Sequence, residues 1–273
     1  MKGRRRFDYI LFIVTLALVG IGIVMVYSTS AIIAGDRFQD PYYFLKRQAL
    51  YAGIGFVLMI LIMFFPYDVL KRFAYPILIL SILLLIAVLI PGIGHRAGGS
   101  MRWLKIQSFS FQPSEFAKLG LIIFLAYFLT KKEEKIRSFS FGFLPTTLLS
   151  GIVIALVVKE PDFGAAFFLT VIVFLLLFIS GARLIYVFSA FLFIAPVAYY
   201  FLMNAGYRYK RLISFIRPWE EPTGTSFQII QSFLSFGSGG LFGLGLGEGR
   251  QKLFFLPAPH TDFIFFIIGE ELG

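Results

Sequence analysis

Four acidic residues lie at the ends of long apolar segments. Placing a carboxylate near an apolar bilayer costs free energy, so each of them is a candidate for a chemical role. They are Glu115, Glu160, Asp162 and Asp262.

Helix capping explains Glu115, and a local ion pair with a cap explains Glu160 and Asp162 about as well as a functional role does. Asp262 differs, because the stretch PHTD leads directly from it into an apolar run. Although capping stays open there too, a carboxylate at this outer rim could serve as a general base.

Basic residues form a second set of candidates. The N-terminal cluster and the short loops favour a cytoplasmic N-terminus, but this orientation leaves many arginines and lysines on the outer side, against the positive-inside rule. A surface facing solvent or lipid headgroups explains any one of them, whereas together they indicate a vestibule for an anionic ligand such as a phosphorylated lipid headgroup. The outer basic residues are Arg96, Arg102, Lys105, Lys118, Lys159, Arg208, Lys210, Arg211, Arg217, Arg250 and Lys252.

Trp103 lies beside Arg102 in this outer region. Most tryptophans at such positions anchor the protein at the membrane interface. The alternative is that the indole stacks against a sugar.

The composition limits what these residues can do. The chain has 273 residues, of which 58% are hydrophobic and only 15% are charged, so it is an integral membrane protein rather than a soluble enzyme or a disordered tail. With 0 Cys and 2 His it has no disulfide framework and too few ligands for zinc, an iron–sulfur cluster or haem. Any metal would be a hard cation held by oxygens. Nucleic acid is a poor match as a partner.

The elements that position the candidates are apolar segments long enough to span a bilayer. Seven of them are separated by short charged or Pro/Gly turns, and an eighth begins at Asp262 and runs to the end. The first is too long for a signal peptide and lacks a cleavage site. The sequence therefore predicts an all-α, polytopic transmembrane helix bundle in one partial domain, 1–273. The seven segments are residues 9–27, 48–65, 74–93, 116–130, 141–158, 164–180 and 184–203.

Residues 204–261 form the longest extracytoplasmic loop. Apolar residues recur at helical spacing over 226–236, which predicts a re-entrant or interfacial helix there. Seven glycines follow within residues 237–249. No strand precedes this run and no Walker lysine follows it, so a nucleotide site is not expected. A phosphate cradle and close helix packing through small residues both remain open.

Several stretches of this sequence resemble one bacterial family. They are RWL at 102–104, FSFQPSEFAKL at 109–119, EPDFG at 160–164, Tyr207-Arg with Arg211, QIIQS at 228–232, SGGL at 238–241, GLG at 245–247, HTDFIF at 260–265 and GEELG at 269–273. Together they resemble the SEDS proteins, which include FtsW, RodA and SpoVE, and more closely the FtsW and SpoVE branch.

The resemblance implies a peptidoglycan glycosyltransferase of the bacterial inner membrane that polymerises lipid II during cell division or sporulation, together with a class B penicillin-binding protein. It also implies ten transmembrane helices, so the chain looks truncated at its C-terminus. Asp262 matches the essential acidic residue of the family, and Trp103 matches a tryptophan linked to function. We place the following residues with them at the substrate site: Arg102, Lys105, Glu115, Lys118, Asp162, Arg208, Arg211, Gln231, Ser238, Lys252 and His260.

The sequence departs from the family pattern at one position near Asp262. Many relatives read Leu-Pro-Glu before the HTD stretch, whereas this chain has Ala258 in place of the glutamate. A second carboxylate is therefore absent from this part of the chain.

The resulting hypothesis makes Asp262 the general base that takes a proton from the acceptor sugar hydroxyl. Arg208, Arg211, Lys105 and Lys118 are candidates to meet the charge of the leaving lipid pyrophosphate, with Mg²⁺ or Mn²⁺ as an open addition. Two alternatives stay open. One is a flippase for a lipid-linked precursor, and the other is a scaffold without activity that serves a penicillin-binding protein.

Overall fold

The computed structural model describes residues 8–97, 100–106, 109–203, 206–220, 222, 224, 226–253 and 259–273. In this part of the chain there are α-helices and three short strands. The helices are α1 (Tyr9–Phe38), α2 (Tyr43–Phe64), α3 (Tyr67–Leu89), α4 (Pro113–Lys131), α5 (Leu144–Lys159), α6 (Phe163–Ile179), α7 (Leu184–Met203), α8 (Gly206–Ile216), α9 (Phe227–Gly239) and α10 (Ile264–Leu272). The strands are β1 (Gly94–Ala97), β2 (Ser100–Ile106) and β3 (Phe109–Phe111).

The helices confirm the predicted all-α, polytopic bundle. Five of the described helical segments are long and apolar enough to cross a membrane, and they are Tyr9–Phe38, Tyr43–Phe64, Tyr67–Leu89, Pro113–Lys131 and Phe139–Lys159. Two shorter apolar helical stretches, Phe163–Ile179 and Leu184–Pro196, correspond to the sixth and seventh predicted segments. Helix α10 begins where the eighth was expected.

The contacts divide the chain into two compact units, which we describe separately. The first unit comprises Met1–Phe64 and Tyr200–Gly273, and the second comprises Phe65–Tyr199.

In the second unit, α4 lies at the centre of the core. Its side chains Leu121, Phe124 and Leu125 are fully buried among residues of α3, α5 and α6. Helices α3 and α4 come so close that a side chain at Gly120 would collide with the Ser81 hydroxyl. Because the interior tolerates no such overlap, glycine at this position permits the close approach that places the start of α4.

A three-stranded antiparallel sheet, in the order β1-β2-β3, connects α3 to α4. Gly94 pairs with Leu104 across β1 and β2, and Leu104 pairs with Phe111 across β2 and β3. The sequence did not predict this sheet, because strands of three to seven residues are too short to give a clear alternating pattern.

In the first unit, α10 packs against α9 and α1. The buried side chains of Met25 and Ile267 lie in one cluster between α1 and α10. Helix α9 agrees with the helix predicted over 226–236, while its predicted re-entrant or interfacial placement stays a prediction. Helix α8 was not predicted, since its basic residues masked its apolar spacing.

Candidate functional site

Asp262 is the residue on which the predicted chemistry depends, and the structure leaves it exposed. It lies two residues before α10, whose N-cap position is taken by Phe263. The Asp262 carboxylate has no hydrogen bond or ion pair to any residue that the structure describes. Capping of α10 therefore does not explain Asp262 in this arrangement, and its oxygens are open to a substrate.

His260, two residues earlier, packs against an aromatic ring. Its ring centroid is 4.5 Å from that of Phe44, and its Nδ1 is buried without a hydrogen-bond partner among the described residues. Burial lowers the pKa of His260 below its ordinary value, and the positive charge of Arg37 lowers it further. The imidazole is therefore neutral at physiological pH and adds no positive charge near Asp262.

In the second unit, Asp162 holds together three elements. Its Oδ1 accepts a hydrogen bond from the Ala165 backbone N–H at 3.0 Å and so caps α6. Its Oδ2 accepts a hydrogen bond from Gln112 Nε2 at 3.2 Å and lies 3.7 Å from an Arg102 nitrogen. Arg102 also donates to the Pro161 carbonyl oxygen at 2.8 Å. The ion-pair partner of Asp162 is thus Arg102 of β2 rather than the neighbouring lysine in the sequence.

Glu160 lies two residues away, in the turn between α5 and α6, and it is buried without a partner. Its side chain is completely inaccessible, and neither carboxylate oxygen has a hydrogen-bond partner within the described residues. Burial raises its pKa from 4.5 to about 8, and the charge of Asp162 adds to this effect while Arg102 opposes it. Glu160 is therefore protonated at neutral pH.

Glu115 and Lys118 form an ion pair one turn apart at the start of α4. The Lys118 Nζ lies 2.6 Å from a Glu115 oxygen and 5.5 Å from the centre of the Phe168 ring. Glu115 is largely exposed. The pair gives this end of α4 both an acceptor and a donor at its surface.

Trp103 and Lys105 project from β2 in the same unit. Trp103 is half-buried and is paired with His95 of β1, and Lys105 is exposed opposite Ser110 of β3. Arg102, Trp103 and Lys105 thus belong to a single strand. From the sequence they could be grouped only because they are close together in the chain.

Lys252 is buried in the first unit, and all three of its ammonium protons have acceptors. It donates to Glu271 Oε1 at 2.6 Å, to the Gly247 carbonyl oxygen at 2.6 Å and to Ser28 Oγ at 3.1 Å. A lysine has three donors. In this arrangement Lys252 has none left for a substrate, so its predicted contact with substrate would require this network to open.

The two adjacent carboxylates at the end of α10 are also fully bonded. Both oxygens of Glu271 share the single hydroxyl proton of Ser28, whose Oγ lies 2.9 and 2.8 Å from them. Glu270 accepts from Ser235 Oγ at 3.0 Å and from the Arg250 backbone N–H at 2.8 Å. In the sequence both glutamates stand out only through the resemblance, although two acidic residues at the end of an apolar run were a signal that could have identified them.

The glycine-rich run packs onto these two glutamates. The N–H groups of Leu244 and Gly245 donate to the carbonyl oxygens of Glu270 and Glu271 at 2.9 and 3.0 Å. A side chain at Gly243, where φ is +72°, would collide with the Glu271 carbonyl oxygen. Of the two explanations that the sequence left open, the structure supports close backbone packing within this unit.

The remaining predicted residues are dispersed in the first unit. Gln231 is half-buried on α9, and Ser238 donates a hydrogen bond to the Ser235 carbonyl oxygen of the same helix at 2.7 Å. Arg211 is exposed on α8. Arg208 belongs to the same helix, but its side chain lies outside the described part of the structure, and so does Ala258.

A divalent cation such as Mg²⁺ would need oxygen ligands from the protein. Within the residues that the structure describes, no three His, Cys, Asp or Glu side chains come close enough to hold a metal ion. The described residues alone therefore do not fit a magnesium or manganese site.

Known proteins resemble this chain along almost its whole length. A family model described as cell cycle protein, covering FtsW, RodA and SpoVE, matches residues 9–273. The probable peptidoglycan glycosyltransferase FtsW of Geobacter sulfurreducens is 45% identical over 273 residues, which are 100% of this chain and 73% of the relative. Stage V sporulation protein E of Bacillus subtilis is 43% identical over 270 residues, which cover 97% of this chain and 73% of that protein.

Solved structures with a similar fold point to the same family. A structure of a peptidoglycan synthase complex that coordinates polymerization and crosslinking superposes with a TM-score of 0.70 at 27% identity, covering 99% of this chain and 72% of that one. The rod shape determining protein RodA of Thermus thermophilus superposes with a TM-score of 0.59 at 28% identity, covering 71% of this chain and 60% of that one. The chain therefore belongs to the cell cycle protein family of FtsW, RodA and SpoVE.

Proposed function

We propose that this protein is a peptidoglycan glycosyltransferase that polymerises lipid II. The observation that carries the proposal is Asp262, an exposed carboxylate without a partner among the described residues, at the start of an apolar helix. Relatives named as peptidoglycan glycosyltransferases match the chain over its full length. The family and the free carboxylate together support glycosyl transfer at this position.

The proposed step is a displacement at the anomeric carbon of the lipid-linked donor. The acceptor hydroxyl oxygen forms the new bond to that carbon, and the bond from the carbon to the pyrophosphate oxygen breaks. The acceptor proton passes to the Asp262 carboxylate, which acts as general base. The electron pair leaves with the lipid pyrophosphate.

The leaving pyrophosphate carries negative charge that a cation would stabilise. Within the unit that carries Asp262, we assign this role to Arg211, which is exposed on α8. Its guanidinium can form two parallel hydrogen bonds to a phosphate. The described residues offer no set of three ligands for a divalent cation that would share this role.

The proposal includes the place and the partner of the reaction. The helices make the protein integral to a membrane, and we propose the bacterial inner membrane with a cytoplasmic N-terminus. The similarity to a peptidoglycan synthase complex supports a class B penicillin-binding protein as the partner that crosslinks the product.

The test is polymerisation of labelled lipid II by the full-length protein in complex with its partner, with Asp262→Asn as the variant. We expect loss of glycan strands with an intact complex. Asp68→Asn is the matched control, because Asp68 is an exposed carboxylate whose only described ion pair is with Lys71 on the surface of α3. Glycan synthesis by Asp262→Asn at the wild-type rate would disprove the assignment. A wild-type complex that moves lipid II from one leaflet of a vesicle membrane to the other without polymerising it would favour a flippase.

A further inference from the structure

Lys252 and Glu271 lie on either side of Asp262 in the sequence and meet in space. Lys252 is ten residues before Asp262, and Glu271 is nine residues after it. The Lys252 Nζ and a Glu271 oxygen are 2.6 Å apart, and both side chains are almost completely buried. The ion pair therefore closes a loop of chain that contains Asp262 near its middle.

The Lys252–Glu271 pair, which we call the neck of this loop, is hydrogen-bonded to α1. Ser28 Oγ lies 2.9 and 2.8 Å from the two oxygens of Glu271, which share its single proton, and it accepts a hydrogen bond from Lys252 at 3.1 Å. Every donor of the ammonium has an acceptor, and both oxygens of Glu271 are bonded. Breaking the pair would leave a buried charge without a partner.

The neck is also fixed to α9. Glu270 accepts from Ser235 of α9 and from the backbone N–H of Arg250, two residues before Lys252. The close backbone approach between Gly239 and Gly269 adds a second contact with α9. The end of α10 is thus bonded to α1 and α9, and the segment at Lys252 is bonded to α1 and to the end of α10.

We propose that Lys252 and Glu271 are positioning residues for Asp262. This inference rests on the proposed function: their buried ion pair holds the loop that carries the base, and neither residue touches the substrate. The pair replaces the substrate contact that the sequence predicted for Lys252. Because a small displacement of a catalytic group costs rate rather than affinity, the pair should act on kcat.

The variant that tests this is Lys252→Met with Glu271→Gln in the full-length protein. This neutral double variant removes both charges and so avoids the lone buried charge that either single change would leave. Exposed residues Asp68 and Lys71 form an ion pair at 2.8 Å and provide the matched control, Asp68→Asn with Lys71→Met.

The first readout needs no substrate. Nitroxide labels at Asp262→Cys and Asp36→Cys report the distance between the loop and α1 by electron–electron dipolar spectroscopy. The 273 residues contain 0 Cys, so these are the only labelling sites in this part of the chain. We expect a narrow distance distribution in the parent and the control, and a broader or shifted one in the neutral double variant.

Ser28→Ala gives a milder second variant, in case the neutral pair does not fold. It keeps the ion pair and removes only the hydroxyl that joins it to α1, so we expect a smaller broadening. A distribution identical to the parent in both variants would overturn the proposal.

The second readout is lipid II polymerisation by the neutral double variant with Asp262 restored. We expect kcat to fall by about tenfold to a hundredfold with little change in KM. Wild-type kcat in a folded double variant would overturn the positioning role. If the wild-type complex does not polymerise lipid II, the proposed function fails, and the distance measurement still decides whether the pair positions Asp262.

Discussion

The two units of this protein each bury acidic side chains, but they stabilise them in opposite ways. In the first unit, the Glu271 oxygens are saturated by a lysine and a serine. In the second unit, Glu160 has no hydrogen-bond partner among the described residues, and its pKa rises to about 8. Glu271 is held by bonds that need its oxygens as acceptors, whereas Glu160 is accommodated because it keeps its proton.

The difference shows what each site can contribute. A saturated ion pair resists movement and suits the positioning of a neighbouring base. A buried neutral carboxyl next to the Arg102–Asp162 pair responds to pH and to any shift of the arginine. The same residue type therefore gives rigidity in one unit and sensitivity in the other.

The largest effect should come from breaking the saturated site on one side only. Glu271→Gln leaves the Lys252 ammonium buried without its counter-charge, which should lower the free energy of unfolding by about 3–5 kcal/mol. Thermal unfolding in detergent measures the change against the neutral double variant, which should recover part of the loss. A single variant as stable as the parent would show that the pair is not buried as described.

A substitution at Gly243 should have the next largest effect. Gly243→Ala places a methyl group against the Glu271 carbonyl oxygen at a positive φ, so we expect a loss of about 1–3 kcal/mol. Gly237→Ala is the control, because it lies within α9 with open space around it and should be neutral or slightly stabilising. Equal melting temperatures for the two variants would refute the close packing of the glycine-rich run.

The pH dependence of stability tests the second site. The folded protein keeps the Glu160 proton up to a pKa of about 8, whereas the unfolded chain loses it near 4.5. The folded state binds more protons in this window, so this group's contribution is fully present below pH 4.5 and is lost as the pH rises to about 8. The slope should reach about 1.4 kcal/mol per pH unit. Melting curves of the parent and of Glu160→Gln across this range measure it, and the same slope in both would contradict the assignment.

At a fixed pH below 4.5, Glu160→Gln should have the smallest effect. An amide then replaces a carboxyl that is neutral in both the folded and the unfolded state and has nearly the same shape, so we expect a change within about 1 kcal/mol, of either sign. The matched comparison is Glu271→Gln, the same change at a saturated site. A loss at Glu160 as large as that at Glu271 would show that both carboxylates are ionised.

Much of the helical architecture could be predicted from the sequence, because apolar segments of membrane-spanning length are unambiguous. The small sheet could not, since its strands have only three to seven residues and give no clear alternating pattern. The capping role of Asp162 followed from its place before an apolar run, but its pairing with Arg102 did not, because β2 and the turn before α6 are distant in the sequence. The Lys252–Glu271 pair was missed for another reason, since Lys252 was assigned, with other basic outer residues, to an anionic substrate.

The most direct test of the account is the initial rate of glycan strand formation from lipid II by the full-length complex, with aspartate or asparagine at position 262 and lipid II binding measured in parallel. If Asp262 is the general base, the asparagine variant should bind lipid II normally and polymerise it about a hundredfold to ten-thousandfold more slowly. A variant that binds and polymerises at the wild-type rate would contradict the account, because the carboxylate would then take no part in the reaction.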